Sequence, residues 1–123
     1  MEKPRDKEHA FEMLRQLSDI GSHEVLTSVW IAFLKKTPSG DGQYILEFAK
    51  RENILDRTKV YFEKMDDETI KSYVESGEPF GKAGGYGIQG QAATFISKIE
   101  GCYYSVWGFP LSAFCKKIRE MLI

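Results

Sequence analysis

The sequence predicts one α/β domain spanning residues 1–123, and three observations carry that reading. Apolar residues recur at helical spacing near both ends and again in the middle. Between those stretches lie short runs rich in β-branched and aromatic residues. The resulting order of helix, hairpin, strand, helix, two strands and helix is that of a sheet flanked by helices. A hydrophobic content of 42%, with 13% aromatic residues, suffices for the modest core of a single domain.

The first helix is predicted from Asp6 to about Leu17. Ala10, Phe11, Leu14 and Leu17 form its buried stripe, and Asp6 stands where an N-cap is needed. Turn residues Ser18 to Ser22 follow. Val25 to Leu34 then reads as a strand whose two alternating faces are both largely apolar, which predicts cover on both sides. The loop Lys35 to Gly42 links it to a second strand, Tyr44 to Phe48, in an antiparallel hairpin. Thr58 to Phe62 alternates strictly, with Thr58, Val60 and Phe62 on one face and Lys59 and Tyr61 on the other.

A second helix is predicted to open at Asp66, where Asp67 and Glu68 complement the positive end of the helix dipole. Ile70, Tyr73 and Val74 form its stripe. Gly77 is placed to end it and Pro79 forbids continuation. Thr94 to Ile99 and Tyr103 to Trp107 read as short strands. Pro110 opens the last helix, in which Leu111, Phe114, Cys115, Ile118 and Leu122 follow the helical repeat and Cys115 is expected in the core.

The net charge of −1 and pI near 6.1 argue against a sequence-independent binder of a nucleic acid polymer, which would carry a basic face. No run of about 18 apolar residues is present to cross a membrane, and the charged segment Met1 to Glu8 cannot form a signal-peptide core, so the expected location is cytoplasmic. Cys102 and Cys115 have no CxxC spacing and lie far in sequence from His9 and His23. That leaves no zinc pattern and no predicted metal ligand, and both histidines read as ordinary surface or satisfied residues.

Chemistry concentrates between Gly77 and Gly90, where six of the eleven glycines fall. The run matches neither a Walker A loop nor GxGxxG after a strand. Its residue types still suit a nucleotide. Gly84, Gly85 and Gly87 can present backbone N–H groups to an oxyanion, Lys82 can neutralise charge, and Gln89 offers a paired donor and acceptor. The alternative is that the glycines only build turns and that Lys82 pairs with Glu78.

The segments Ser76-Gly77-Glu78-Pro79, Lys82-Ala83-Gly84-Gly85-Tyr86-Gly87-Ile88-Gln89-Gly90, Ile99-Glu100-Gly101 and Val106-Trp107-Gly108-Phe109-Pro110-Leu111 resemble, in order and spacing, the C-terminal half of the Maf family. Glu2-Lys3-Pro4, His23 to Val29 and Thr58 to Phe62 extend the resemblance over essentially the whole chain. It implies a mixed sheet with flanking helices, similar to the inosine triphosphatase type, and a nucleoside triphosphate pyrophosphatase. Lys82 and Gln89 are similar to the dTTP/UTP branch, with Lys82 and Lys3 on the phosphates, Gln89 on the base and Gly84 and Gly85 shaping the loop. A divalent metal, Mg²⁺ or Mn²⁺, is implied as cofactor.

Two family motifs that normally precede the Lys-Pro segment, Ser-Pro-Arg-Arg and Gly-Ala-Asp-Thr, do not occur in these 123 residues. The resemblance therefore implies an N-terminally truncated chain and assigns it no catalytic residue. Gly81 also stands where the family usually has aspartate, and Ser105 where it usually has asparagine. The competing expectation is a non-catalytic nucleotide-binding or protein-interaction module, with room for a homodimer at an exposed sheet edge.

Overall fold

A computed structural model describes residues 1–122. Helix α1, Lys7–Ile20, begins where the Asp6 carboxylate accepts the His9 amide at 2.8 Å, and it ends at Gly21, whose φ of 88° a side chain would resist. Strands β1, Ser22–Pro38, and β2, Tyr44–Phe62, form a long antiparallel hairpin. Helix α2, Asp67–Glu75, is capped by Asp66, and its chain turns away at Gly77 with φ 79°. Two short 3-10 turns at Ala83–Gly85 and Gln91–Thr94 lead to β3, Ile96–Glu100, which pairs antiparallel with β2. Helices α3, Tyr103–Trp107, and α4, Leu111–Leu122, complete the described chain.

The sheet order is β1-β2-β3, and no parallel pair occurs among these three strands. With its flanking helices the chain is of the predicted α/β class. Val25, Val29, Ile31 and Phe33 alternate onto one face of β1, and that face carries both apolar clusters. The larger joins Leu14 and Leu17 of α1 and Ile70 and Tyr73 of α2 to Val60 and Phe62 of β2 and to Phe95. The smaller seats Phe114, Ile118 and Met121 of α4 against Ile31 and Ile54 on the outer half of the hairpin.

Four expectations are corrected. The runs Tyr44 to Phe48 and Thr58 to Phe62 belong to one strand, because the polar residues between them still find backbone partners on β1, as in Asn53 with Trp30. β1 is not covered on both sides, since Leu26, Trp30 and Leu34 remain exposed on the face turned away from the helices. Tyr103 to Trp107 is helical. No strand lies alongside it, so the Ser105 and Val106 amides bond back to the Cys102 carbonyl instead. Cys115 is exposed, because α4 buries the line Phe114, Ile118 and Met121, which keeps only Phe114 and Ile118 of the predicted stripe and turns Leu111, Cys115 and Leu122 outward.

Candidate functional site

The end of α2 delivers the chain into the glycine run, and Glu78 folds that run back on itself. Its carboxylate accepts the Tyr73 hydroxyl at 2.9 Å and the amides of Gln91 and Ala92 at 3.0 and 3.5 Å. Half-burial opposes its charge, but these three donors outweigh it and hold its pKa below the ordinary value. A Cβ on Gly90 would run into this carboxylate, so the residue there must be glycine. Glu78 therefore pins the run by accepting from these donors.

The backbone donors of the run are already in use. Gly84 N–H bonds the Glu2 carbonyl at 3.1 Å, Gly85 N–H the Lys82 carbonyl at 3.0 Å and Gly87 N–H the Tyr73 hydroxyl at 3.2 Å. The expectation that these amides greet an oxyanion is therefore corrected, because each meets an acceptor inside the fold. What Gly84 and Gly85 contribute is path, both having positive φ, 81° and 77°. Lys82 places its Nζ 2.8 Å from the Glu78 backbone carbonyl, not on its carboxylate, and its stem passes over Gly87, where a Cβ would stand 2.7 Å from Lys82 Cε. Gln89 is exposed, and among the described residues its side-chain amide makes no hydrogen bond.

Lys82, Gly84 and Gln89 line one wall of a cleft of about 1160 Å³. The first residues of β1, His23 to Thr27, form a second wall, and Ser105 to Gly108 of α3 and its C-terminal turn a third. Gly85 lies behind the wall, buried against Pro4 and Met13. Lys3 is exposed on the segment that the Gly84 amide holds through Glu2, and it does not line the cleft. The structure thus brings together three of the five predicted binding residues.

Two residues with no predicted binding role also line the cleft: His23, read from sequence as ordinary, and Ser105, noted only as a departure from the family pattern. His23 Nε2 lies 2.6 Å from the Tyr86 hydroxyl, and its ring packs at tilted angles against Phe62 and Tyr86, 5.4 and 5.5 Å away. Burial holds the His23 pKa below its ordinary value and pushes that of Tyr86 up. The alternation that sends Val25 inward also sends His23 inward, and that is the signal that could have found it. Ser105 is buried, and its hydroxyl is the one buried side-chain polar atom without a partner among the described residues.

No group of three histidine, cysteine, aspartate or glutamate side chains that could hold a metal occurs among the described residues. Of the carboxylates in the cleft walls, Glu78 is engaged by three donors and Glu24 faces Arg57 at 3.6 Å. The residues present do not make a cage for the implied divalent ion.

Comparison with known proteins places the chain in a family. A family described as "Maf-like protein" matches residues 1–121. The chain is 45% identical over 119 residues to a Carboxydothermus hydrogenoformans protein named dTTP/UTP pyrophosphatase, covering 96% of this chain and 56% of that relative. It is 40% identical to a Clostridium tetani protein of the same name over 119 residues, with 97% and 55% covered. A Shigella flexneri protein named nucleoside triphosphate pyrophosphatase is 47% identical over 111 residues, with 90% and 49% covered. The chain spans about half the length of the curated relatives it matches.

Proposed function

Because the chain belongs to the Maf-like family, we propose that its cleft takes a pyrimidine nucleoside triphosphate, dTTP or UTP, and serves hydrolysis to the monophosphate and pyrophosphate. The observation that carries this reading is the presence of Lys82 and Gln89 on one wall of the same cleft, one ammonium group and one unengaged amide. Small-molecule sites run to about 300–1,000 Å³, so the cleft has ample room for a nucleotide. The names of the relatives, dTTP/UTP pyrophosphatase, support the substrate class.

Each residue then has a physical task. Gln89 pairs one donor and one acceptor with the imide edge of uracil or thymine. Lys82, swinging from the Glu78 carbonyl, neutralises phosphate charge, which otherwise opposes attack of water between the α- and β-phosphates. Lys3 stands outside the cleft, and its part in this reading is to approach the same phosphates from the N-terminal segment. Gly84 and Gly85 give the wall its shape. Mg²⁺ or Mn²⁺ belongs to this reading as the ion that accompanies the triphosphate. The single domain, a cytoplasmic location and assembly as a homodimer are further parts of the proposal.

A second reading, nucleotide binding without turnover, is favoured by one observation: of the two carboxylates in the cleft walls, Glu78 is engaged by three donors and Glu24 faces Arg57. Incubating the chain with Mg²⁺ or Mn²⁺ and dTTP or UTP, and measuring released pyrophosphate, separates the two. Turnover that Lys82→Ala and Gln89→Ala each weaken supports the enzyme. Gln89-dependent binding of UMP with no pyrophosphate release supports the binding module.

A further inference from the structure

We propose that His23 is a ligand-contacting residue of the cleft, its imidazole held by the Tyr86 hydroxyl so that Nδ1–H donates a hydrogen bond to an acceptor oxygen of the bound nucleotide. This rests on the nucleotide reading above and deepens it.

The argument starts from Tyr86. Its ring is buried, and its hydroxyl meets one polar atom among the described residues, His23 Nε2 at 2.6 Å. Of the two ring tautomers, the one that lets the phenol donate leaves Nε2 as acceptor and puts the proton on Nδ1. The surroundings favour this neutral form, since Phe62 and Tyr86 pack against the ring and burial disfavours imidazolium. The ring plane is held by the Tyr86 hydroxyl together with the rings of Phe62 and Tyr86.

Nδ1 is placed differently. Among the described residues it has no hydrogen-bond partner, and it is not among the buried orphaned atoms, so it remains accessible in a residue that lines the cleft. A half-buried donor with fixed tautomer and fixed ring plane is preorganised for an acceptor arriving from that cleft. The glycine run that carries Lys82 and Gln89 comes close to the ring at Gly84, which puts the donor in the same cleft as the two binding residues already assigned.

The test is calorimetric titration of the folded chain with UMP, together with ¹⁵N-detected imidazole tautomers. His23→Asn keeps an N–H near the Nδ1 position, whereas His23→Gln keeps one near Nε2. The expected results are an Nδ1–H tautomer in the free chain, an affinity for UMP reduced about five- to tenfold in His23→Ala and His23→Gln, and recovery to within about threefold in His23→Asn. Tyr86→Phe, which releases the tautomer without removing the imidazole, is expected to weaken binding about two- to fivefold and guards against misfolding of the His23 variants. An Nε2–H tautomer, or UMP affinity unchanged in His23→Ala while Gln89→Ala weakens it, overturns this proposal and leaves the nucleotide reading standing. A folded wild-type chain that binds no UMP overturns both.

Discussion

The Tyr73 hydroxyl donates to Glu78 at 2.9 Å and at the same time accepts the Gly87 amide at 3.2 Å, so one phenol on α2 ties two points of the glycine run together. Desolvation raises the Tyr73 pKa well above its ordinary value, which keeps the proton on the phenol and fixes the direction of both bonds.

Glu78→Gln is expected to lower stability by about 1.5–3 kcal/mol, because a charged acceptor serving three donors becomes a neutral one serving fewer. The pH dependence has a definite sign. Glu78 has a depressed folded-state pKa, so its contribution is complete above the ordinary value of 4.5 and disappears as pH falls through the folded value. Urea denaturation between pH 3 and 6 should show the wild type losing its advantage over Glu78→Gln as acid is added.

Gly90→Ala and Gly87→Ala should separate sharply. The first drives a methyl group into a carboxylate pinned by three donors, at a cost of about 1–3 kcal/mol. The second meets only the exposed Lys82 stem, which swings aside, leaving stability within about 0.5 kcal/mol. Because that movement displaces the ammonium group, Gly87→Ala should weaken pyrophosphate release or triphosphate binding while its melting temperature stays near that of the wild type.

His23 predicts a loss of stability in mild acid. Its folded-state pKa is depressed, so the unfolded chain takes up the proton first, and stability falls as pH drops below the ordinary value of 6.5. Above that pH the contribution is constant. Thermal unfolding from pH 7.5 to 5.0 should show a steeper decline for the wild type than for His23→Asn, which has no ring to protonate.

Ser105→Ala should leave the unliganded chain as stable as the wild type or stabilise it by about 1 kcal/mol. The substitution removes a buried hydroxyl that has no partner to lose. Denaturant midpoints of the two proteins provide the measurement.

What could be read from sequence was local. Asp6 and Asp66 cap helices because a carboxylate three residues before an amide needs nothing else in the fold. Thr58, Val60 and Phe62 alternate inward, and Gly77 takes its positive φ, for equally local reasons. Readings that depended on distant partners went astray. Tyr103 to Trp107 has the composition of a strand but no neighbour to pair with. Lys50 to Asn53 has the composition of a loop but lies opposite β1. In the site, Lys82, Gln89 and Glu78 were legible as residue types within one run. The engagement of the Gly84 and Gly87 amides was not, because Glu2 and Tyr73 come from other parts of the chain. His23 was missed for the same reason, its significance resting on Tyr86 63 positions away.

The clasp at Glu78 also governs how a ligand arrives. With position 78 bonded to positions 91 and 92, the intervening residues form a closed hoop rather than a free loop. Such a hoop has little ordering left to lose when it is occupied. Association at this wall should therefore proceed at a rate set by diffusion and by the swing of Lys82, with no slow closing phase, and the wall should dock its guest as a rigid frame rather than wrap around it.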